Sequence, residues 1–244
     1  MPTPLSAIVL GASGSVGQAL MHELIASRAF TTIVAVARRS QPAYVAEASA
    51  AGVALREVLV PEMNAEALER ATRDAALALD GDVVGLSVLG IGAGTAKLTI
   101  DQHRAVDVVL NAAFARGLAS SKRVRHIALM SAVGADATRA TNGSGAAGTA
   151  RYNRVKGEAE TAVRDSGIPV VSIFRPAMII GSQHTPWLLE KLLPLFSLVT
   201  PARFKSITTT QIAKAMVASA IRTPATSAIY HWPEMMALNA SPGR

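Results

Sequence analysis

Short apolar runs recur along the chain, and the segments between them carry apolar residues every three or four positions. The runs are nearly continuous in Val, Ile and Leu, which predicts strands that are buried on both faces of a sheet. These predicted strands are Ser6–Leu10, Thr31–Val36, Val53–Val60, Asp82–Val88, Val124–Met130 and Val170–Phe174. The predicted helices between them are Val16–Ser27, Ala65–Leu79, Ile100–Ala115 and Tyr152–Ser166. Strands that alternate with helices of this length predict an α/β fold with a doubly wound parallel sheet.

The regular alternation fades after Arg175-Pro176. Beyond this point the pattern predicts helices over Pro186–Phe196 and Thr209–Ile221 and a short strand over Ala228–His231. No linker-like composition separates this part from the sheet, so we expect residues 177–244 to form a small C-terminal lobe of the same domain that faces the substrate. Residues 138–150 are rich in Gly, Ala, Ser and Thr, which predicts a mobile loop.

Composition and charge exclude several classes of function. The chain has no cysteine, so it has no disulfide, no thiolate nucleophile and no cysteine-based metal site, and its five histidines are not spaced as metal ligands. The basic residues behind the net charge of +7 are dispersed, which favours a solvated surface over a nucleic-acid site, although a polyanionic small ligand would also use it. The apolar runs are too short to cross a membrane, and the first residues do not read as a signal peptide, so we expect a cytoplasmic protein.

A glycine-rich segment follows the first predicted strand and leads into the first predicted helix. Its residues are Gly11, Ala12, Ser13, Gly14, Ser15, Val16 and Gly17. Glycines at such a turn let the backbone bend sharply and let a pyrophosphate approach the amide groups, while the helix start supplies partial positive charge. A purely structural turn before a helix would also contain glycine. The position between a strand and an amphipathic helix favours a dinucleotide site formed by Gly11, Ser13, Gly14, Ser15, Val16 and Gly17.

Two arginines, Arg38 and Arg39, come just after the second predicted strand, about 20 residues beyond the last of these glycines. An acidic residue there holds the adenosine ribose of NAD, whereas arginine receives the additional phosphate of NADP. The sequence therefore favours NADP(H) over NAD(H), with the Ser40 hydroxyl as a further phosphate donor. The alternative is a solvated basic turn, since arginine is common on exposed loops.

Polar residues with catalytic potential follow the later strands. Ser131 comes directly after Val124–Met130, and Leu89-Gly90 follows the fourth strand, so both would line the crevice at the carboxyl ends of the strands. Tyr152 and Lys156 are four residues apart on a predicted helix and share one face. A nearby ammonium favours phenolate and lowers the tyrosine pKa, which makes the phenol usable in proton transfer. Alone, this spacing is a frequent accident; after a dinucleotide motif and a strand-end serine it predicts a catalytic set.

With these residues in place, the sequence resembles the short-chain dehydrogenase/reductase superfamily, and within it the atypical branch that includes the Tat-interacting-protein-like proteins. The motifs that carry the resemblance are Gly11-x-x-Gly14-x-x-Gly17, Arg38-Arg39, Leu89-Gly90, His126 to Asp136, Tyr152 to Glu158, Phe174-Arg175-Pro176 and Thr209 to Ala213. The resemblance implies a Rossmann fold, with residues 1–176 as the NAD(P)-binding part.

The resemblance also implies roles for individual residues. Tyr152 would be the general acid/base, Lys156 would hold the nicotinamide ribose, and Ser131 would orient a substrate carbonyl or hydroxyl. Pro176 would approach the nicotinamide carboxamide. The implied activity is NADP(H)-dependent hydride transfer on a carbonyl or alcohol substrate. Ordering of the loop at residues 138–150 would then close the cleft over the substrate.

Two other functions stay open beside this one. A dinucleotide-binding regulator would sense the cofactor without turning it over, and fold alone does not decide against it. A nucleotide-sugar epimerase or dehydratase would use the same catalytic residues, but the roughly 70 C-terminal residues leave little room for a sugar-nucleotide lobe. No motif fixes the substrate or the oligomeric state. A homodimer is compatible with the apolar stripe that begins at Trp187, although core packing is favoured.

Some residues depart from the family pattern or invite a simpler interpretation. Leu59-Val60-Pro61 stands where many relatives have an acidic residue that contacts adenine. Asp101-Gln102-His103 stands near the position of an Asn that serves in a proton relay in relatives. His103 would be a substitute for that Asn, but the favoured interpretation is a surface histidine at a helix start. Asp107 and Glu158 are interpreted as charges on solvated helix faces.

Overall fold

The computed structural model describes residues 4–92, 95, 98–141, 147–180 and 201–241. Its strands are β1 (Leu5–Leu10), β2 (Thr32–Ala37), β3 (Ala54–Leu59), β4 (Asp82–Ser87), β5 (Val124–Met130), β6 (Val170–Phe174), β7 (Ile179–Ile180), β8 (Ile207–Thr208) and β9 (Ala228–Tyr230). Its α-helices are α1 (Ser15–Ser27), α2 (Ala43–Ala51), α3 (Ala65–Leu77), α4 (Ile100–Arg104), α5 (Asn111–Ser120), α6 (Ala147–Arg164), α7 (Thr209–Arg222) and α8 (Trp232–Ala240). A π-helical segment, Ala105–Leu110, joins α4 to α5, and a 3₁₀ turn covers Ala202–Phe204.

Seven strands form one parallel sheet in the order β3-β2-β1-β4-β5-β6-β9. Leu10 at the end of β1 pairs with Val36 on one side and with Ser87 on the other. The predicted α/β fold with a doubly wound parallel sheet is therefore confirmed. The order reverses between β1 and β4, and in such sheets a crevice for ligands opens beyond the carboxyl ends of those two strands.

Helices cover both faces of this sheet, which explains why its central strands are nearly continuous in apolar residues. Ile8 and Val9 are both fully buried but lie in different apolar clusters, one on each face. Helices α1 and α7 pack together on one face, and α3 and α5 pack together on the other. Within the described residues, no helix combines the length and the apolar character that crossing a membrane requires.

The C-terminal part contributes to the sheet itself. Strand β9 pairs with β6 through Ser172 and Ala228, and β8 pairs with β7. The predicted helix Thr209–Ile221 and the predicted strand Ala228–His231 are confirmed within one residue. The predicted helix Pro186–Phe196, with the stripe at Trp187, lies outside the described residues, as do residues 142–146 of the predicted loop. The division at residue 176 and the substrate-facing role of residues 177–244 stay predictions.

The helical stretch from α4 to α5 differs from the sequence prediction. A single helix was expected over Ile100–Ala115, whereas the structure has the π-helical segment Ala105–Leu110 between two α-helices. A π segment takes in an additional residue per turn and shifts the faces that follow it, and such segments are frequent at functional sites. Here it accompanies a polar stripe that faces the end of β4, formed by His103, Asp107 and Asn111, all of them buried.

Candidate active site

Two of the three glycines after β1 are required by close backbone packing. Gly11 has φ of +92°, and a Cβ there would lie 2.7 Å from the Leu89 backbone nitrogen. A Cβ on Gly17 would lie 2.1 Å from the Gly11 carbonyl oxygen. Only glycine satisfies both positions, so this turn is fixed against the start of α1 and against the end of β4.

Gly14 has a different environment. It is exposed, a Cβ there would approach no atom closer than 3.8 Å, and it is the N-cap of α1 without a side chain to cap the helix. Around it, Ser13 is exposed, Ser15 is half-buried and Val16 is buried. An open helix start in a crevice is suited to a diphosphate, because backbone N–H groups and the helix dipole both favour negative charge.

Arg38 and Arg39 follow β2 and are both exposed. Neither forms an ion pair with another described residue, so two guanidinium groups face solvent beside the crevice. The Ser40 hydroxyl, expected as a phosphate donor, instead donates to the Glu57 carboxylate at 2.5 Å. The other Glu57 oxygen accepts from the Gln41 backbone N–H at 2.5 Å. Glu57 was missed because its β3 position is distant in sequence from the loop it holds.

Leu89 and Gly90 continue from β4 along the same crevice. The Asn111 side-chain amide donates to the Leu89 carbonyl at 3.3 Å, which ties this segment to α5. Gly90 is exposed, and a Cβ there would lie 2.8 Å from Lys156 Nζ. The Lys156 ammonium therefore packs directly against the exposed Gly90.

Helix α6 carries Tyr152, Lys156 and Glu160 at intervals of four residues, so the three share one face. Lys156 Nζ lies 5.8 Å from the centroid of the half-buried Tyr152 ring. The helix is held close to the loop after β5, because a Cβ on Gly157 would lie 2.1 Å from the Ala137 backbone nitrogen. The structure thus brings the predicted tyrosine and lysine together on α6, with the lysine ammonium close to Gly90.

Lys156 forms a buried ion pair with Asp107. Its Nζ lies 2.7 Å from Asp107 Oδ2, and the lysine and aspartate side chains are 5% and 0% exposed. The interpretation of Asp107 as a solvated helix-face charge was therefore wrong. Burial alone would raise the pKa of Asp107, but the Lys156 charge and contacts with His103 and the Ile91 N–H lower it to about 2. Burial likewise opposes the charge on Lys156, yet Tyr152, Asp107 and Glu160 raise its pKa above the ordinary value.

His103 is fully buried, so its interpretation as a surface histidine was also wrong. Its ring stacks on Tyr152 with centroids 5.8 Å apart, and its Nε2 lies 3.6 Å from Asp107 Oδ2. That distance is too long for a hydrogen bond, so we treat the contact as electrostatic. Neither ring nitrogen has a hydrogen-bond partner among the residues that the structure describes.

Glu158, in contrast to Asp107, stays partly exposed at 22% and pairs with Arg104 and Arg154, in keeping with a charge on a helix face.

Ser131 lies at the end of β5 and is 4% exposed. Its hydroxyl donates to Glu160 Oε1 at 2.5 Å, and the same buried carboxylate accepts from Arg175 at 2.8 and 2.6 Å. Pro176, which follows, is buried, and its carbonyl accepts from the Val133 N–H at 2.9 Å. The predicted serine is thus joined to α6 through Glu160, and its hydroxyl already has an acceptor.

Sequence reasoning missed Glu160, Asn111 and the inward position of Asp107. Glu160 carried a usable signal, since it continues the four-residue spacing of Tyr152 and Lys156 on the same helix. Asn111 bonds Ser87 and the Asp107 carbonyl, and nothing in the sequence indicates these contacts.

A match to a known family covers most of the chain. A family model described as NAD(P)H-binding matches residues 11–223, which include the glycine turn, both arginines, Ser131, Tyr152 and Lys156.

Solved structures of similar fold include several oxidoreductases and an epimerase. A short-chain dehydrogenase/reductase from Serratia marcescens is 19% identical over 96% of this chain and 100% of that one, with a TM-score of 0.65. A 3-oxoacyl-[acyl-carrier protein] reductase from Brucella melitensis in complex with NAD is 16% identical over 97% of this chain and 98% of that one, with a TM-score of 0.71. A UDP-N-acetylglucosamine 4-epimerase from Bacillus cereus is 15% identical over 93% of this chain and 78% of that one, with a TM-score of 0.59. At these identities the similarity is one of fold.

Proposed function

The chain belongs to the NAD(P)H-binding family and has the fold of the short-chain dehydrogenases/reductases, and from this premise we propose that it is an NADP(H)-dependent oxidoreductase. It would transfer hydride between the nicotinamide and a carbonyl or alcohol substrate, with Tyr152 as general acid/base. The observation that carries the proposal is that the Lys156 ammonium lies close both to the Tyr152 ring and to Gly90, which follows β4. That is the crevice where the family's dinucleotide is expected, given the glycine turn at Gly11 and Gly17.

The residues of the crevice fit a dinucleotide. The exposed Gly14 leaves the start of α1 open to a diphosphate, and Gly90 leaves a place for a ligand hydroxyl near the Lys156 ammonium. Ser13, Ser15 and Val16 would complete the diphosphate turn, and Leu89 and Pro176 would line the nicotinamide end. When bound, the cofactor supplies or accepts the hydride.

The chain's own part in the reaction is proton transfer and positioning. For reduction, the Tyr152 phenol donates a proton to the oxygen that develops negative charge, and Lys156 stabilises the phenolate that remains. For reduction, Ser131 donates to that oxygen once its hydroxyl turns away from Glu160. For oxidation, Ser131 accepts from the substrate alcohol while it still donates to Glu160.

A carbonyl-substrate screen that follows NADPH absorbance tests this function. With a substrate that the wild-type protein turns over, Tyr152→Phe should lower kcat by about a hundredfold to ten-thousandfold, because the variant lacks the proton donor but keeps the ring. Tyr230→Phe is the matched control, since Tyr230 stacks on Phe174 at 4.8 Å and has no part in the site. Equal activity of Tyr152→Phe and Tyr230→Phe would refute the mechanism.

NADP(H) is proposed over NAD(H) because Arg38 and Arg39 are exposed and unpaired among the described residues. Glu57 lies beside the same loop, where its carboxylate accepts from the Ser40 hydroxyl and the Gln41 backbone N–H. The small-molecule substrate, the cytoplasmic location and the homodimer stay predictions.

The second candidate is a cofactor-sensing protein with little or no turnover. The specific observation in its favour is that the Ser131 hydroxyl donates to the buried Glu160 and not into the crevice. A cofactor-sensing protein should bind NADPH tightly and should show no substrate-dependent oxidation of NADPH in the screen. Tyr152→Phe should then leave NADPH binding unchanged. Turnover that depends on Tyr152 would exclude it.

A further inference from the structure

Asp107 was interpreted from the sequence as a solvated charge, whereas the structure pairs it with Lys156 inside the protein. We propose that Asp107 is a positioning residue for the reaction proposed above: it is the counter-ion that keeps the Lys156 ammonium charged and fixed between Tyr152 and Gly90. This role rests on the proposed function only for its effect on turnover. The state of Lys156 itself can be measured without cofactor or substrate.

Asp107 is held from three sides. One carboxylate oxygen accepts from the Ile91 backbone N–H at 3.0 Å, and the other contacts the Lys156 ammonium at 2.7 Å. Its own backbone carbonyl accepts from the Asn111 side-chain amide at 2.8 Å. Because Ile91 directly follows Gly90, the carboxylate links the end of β4 to the lysine on α6.

Space at Gly90 is reserved for this pair. A Cβ on Gly90 would lie 2.8 Å from Lys156 Nζ and 3.1 Å from Asp107 Oδ2. Gly90 itself is exposed, so the pair is buried by a residue without a side chain. The ammonium is therefore shielded from bulk water and remains within reach of a ligand that lies over Gly90.

Direct contact with the ammonium distinguishes Asp107 among the groups around Lys156. Helix α6 contributes Tyr152 and Glu160, the π-helical segment contributes Asp107, and α4 contributes His103, which faces Asp107 and not the lysine. Glu160 is occupied by Arg175, Arg164 and the Ser131 hydroxyl. Asp107 is thus the one acid that forms an ion pair with Lys156 in the described part of the chain.

Loss of the Asp107 charge would leave an ammonium that is buried without a counter-ion. Burial disfavours the charged form, so Lys156 should then release its proton at lower pH. The ammonium would no longer be available at neutral to alkaline pH to stabilise a phenolate at Tyr152. The expected consequence for reduction is an alkaline limb of the pH–rate profile that moves to lower pH.

NMR titration of the full chain, labelled with carbon-13 at the lysine Cε, tests the proposal without any ligand. The Lys156 signal is assigned by its absence in Lys156→Arg, and the exposed Lys122 is the internal reference. In the wild type, Lys156 should keep its proton to a higher pH than Lys122. In Asp107→Asn it should lose the proton at least about one pH unit lower than in the wild type.

Two variants serve as controls. Asp101→Asn removes a carboxylate from α4 that is 87% exposed and contacts Arg104 at 3.6 Å, so the Lys156 titration should not change. Asp107→Glu keeps the charge and should restore most of the wild-type midpoint. Asp107→Ser is the second neutral variant, to be used if Asp107→Asn does not fold. The Lys156 midpoint should move to lower pH in Asp107→Ser as well.

An unchanged Lys156 midpoint in a folded neutral variant would overturn the proposal. So would a wild-type Lys156 that releases its proton at or below the pH of Lys122, a result that needs no variant. A displaced Lys156 midpoint in a protein without turnover would leave this proposal standing and remove the proposed oxidoreductase function. Turnover through Tyr152 with an unchanged Lys156 midpoint would do the reverse.

Discussion

Ser131 donates its hydroxyl to Glu160 across 2.5 Å, and so joins the end of β5 to the middle of α6 inside the protein. The Glu160 side chain is fully buried, while Arg175, its charged partner, is 18% exposed. The carboxylate therefore orders three parts of the candidate site at once: the serine, the helix that carries Tyr152, and the segment that leads to Pro176.

Glu160→Gln should destabilise the protein by about 3 kcal/mol, because it leaves the Arg175 guanidinium partly buried without its charged partner. Urea unfolding followed by circular dichroism measures this. Glu158→Gln is the matched control on the same helix, since Glu158 is 22% exposed and should cost no more than about 1 kcal/mol. Equal losses in the two variants would show that burial of the Glu160 cluster does not matter for stability.

Gly14 and Gly17 should respond differently to replacement by alanine. Gly17→Ala places a Cβ 2.1 Å from the Gly11 carbonyl oxygen, so the variant should be strongly destabilised or unfolded. Gly14→Ala meets nothing within 3.8 Å and should unfold at nearly the wild-type temperature. It should nevertheless weaken NADPH binding by about tenfold or more, because the methyl group intrudes where the diphosphate is expected. Fluorescence titration and thermal unfolding separate the two effects, and unaltered NADPH affinity in Gly14→Ala would contradict the diphosphate site.

The sequence predicted some strands accurately and missed two helices. The bounds of β5 and β6 are those predicted, because Val124–Met130 and Val170–Phe174 are mostly apolar and mostly buried. Helix α2 was missed because its small and polar residues form no clear apolar stripe. Helix α8 was missed although Pro233 at its start is a helix-initiation signal.

The site divides along similar lines. The sequence predicted the glycine turn and the shared helix face of Tyr152 and Lys156, because residues close in sequence determine both features. Asp107 was misplaced since α-helical periodicity does not anticipate a π segment, and a buried charge is uncommon unless it is paired. The pairing of Glu57 with Ser40 joins residues that are distant in sequence, and local pattern gives no access to such contacts.

Replacement of Arg38 and Arg39 by alanine should weaken binding of NADPH by about tenfold to a hundredfold and leave NADH nearly unchanged, because charged hydrogen bonds to a phosphate are lost. Competition with 2′,5′-ADP against 5′-AMP isolates the same contact. Arg56→Ala is the matched control, since Arg56 is an exposed arginine on the neighbouring β3. Parallel losses for NADPH and NADH would remove the argument for NADP(H).

His126 should make the protein sensitive to mild acid. It is buried with Nε2 2.8 Å from the Ser172 hydroxyl, and burial lowers its pKa from 6.5 to about 4. In the unfolded chain this imidazole takes up a proton near pH 6.5, whereas the folded chain keeps it neutral to about pH 4. Acidification through this interval favours the unfolded chain, by about 3 kcal/mol at most.

Urea unfolding at a series of pH values measures this contribution. The free energy of unfolding should fall between pH 7 and pH 4 in the wild type and in His22→Gln, where the histidine is 59% exposed. The fall should be smaller in His126→Gln. The same slope in all three proteins would show that another group causes the acid sensitivity.

Hydrogen–deuterium exchange with and without NADPH tests most directly whether a nicotinamide dinucleotide lies in the crevice between β1 and β4. Saturating NADPH should slow exchange at the backbone amides of residues 11–17, 38–41 and 89–91, the three segments that surround this crevice. Protection confined to other parts of the chain, or no protection at saturating NADPH, would contradict the proposed site and the function that depends on it.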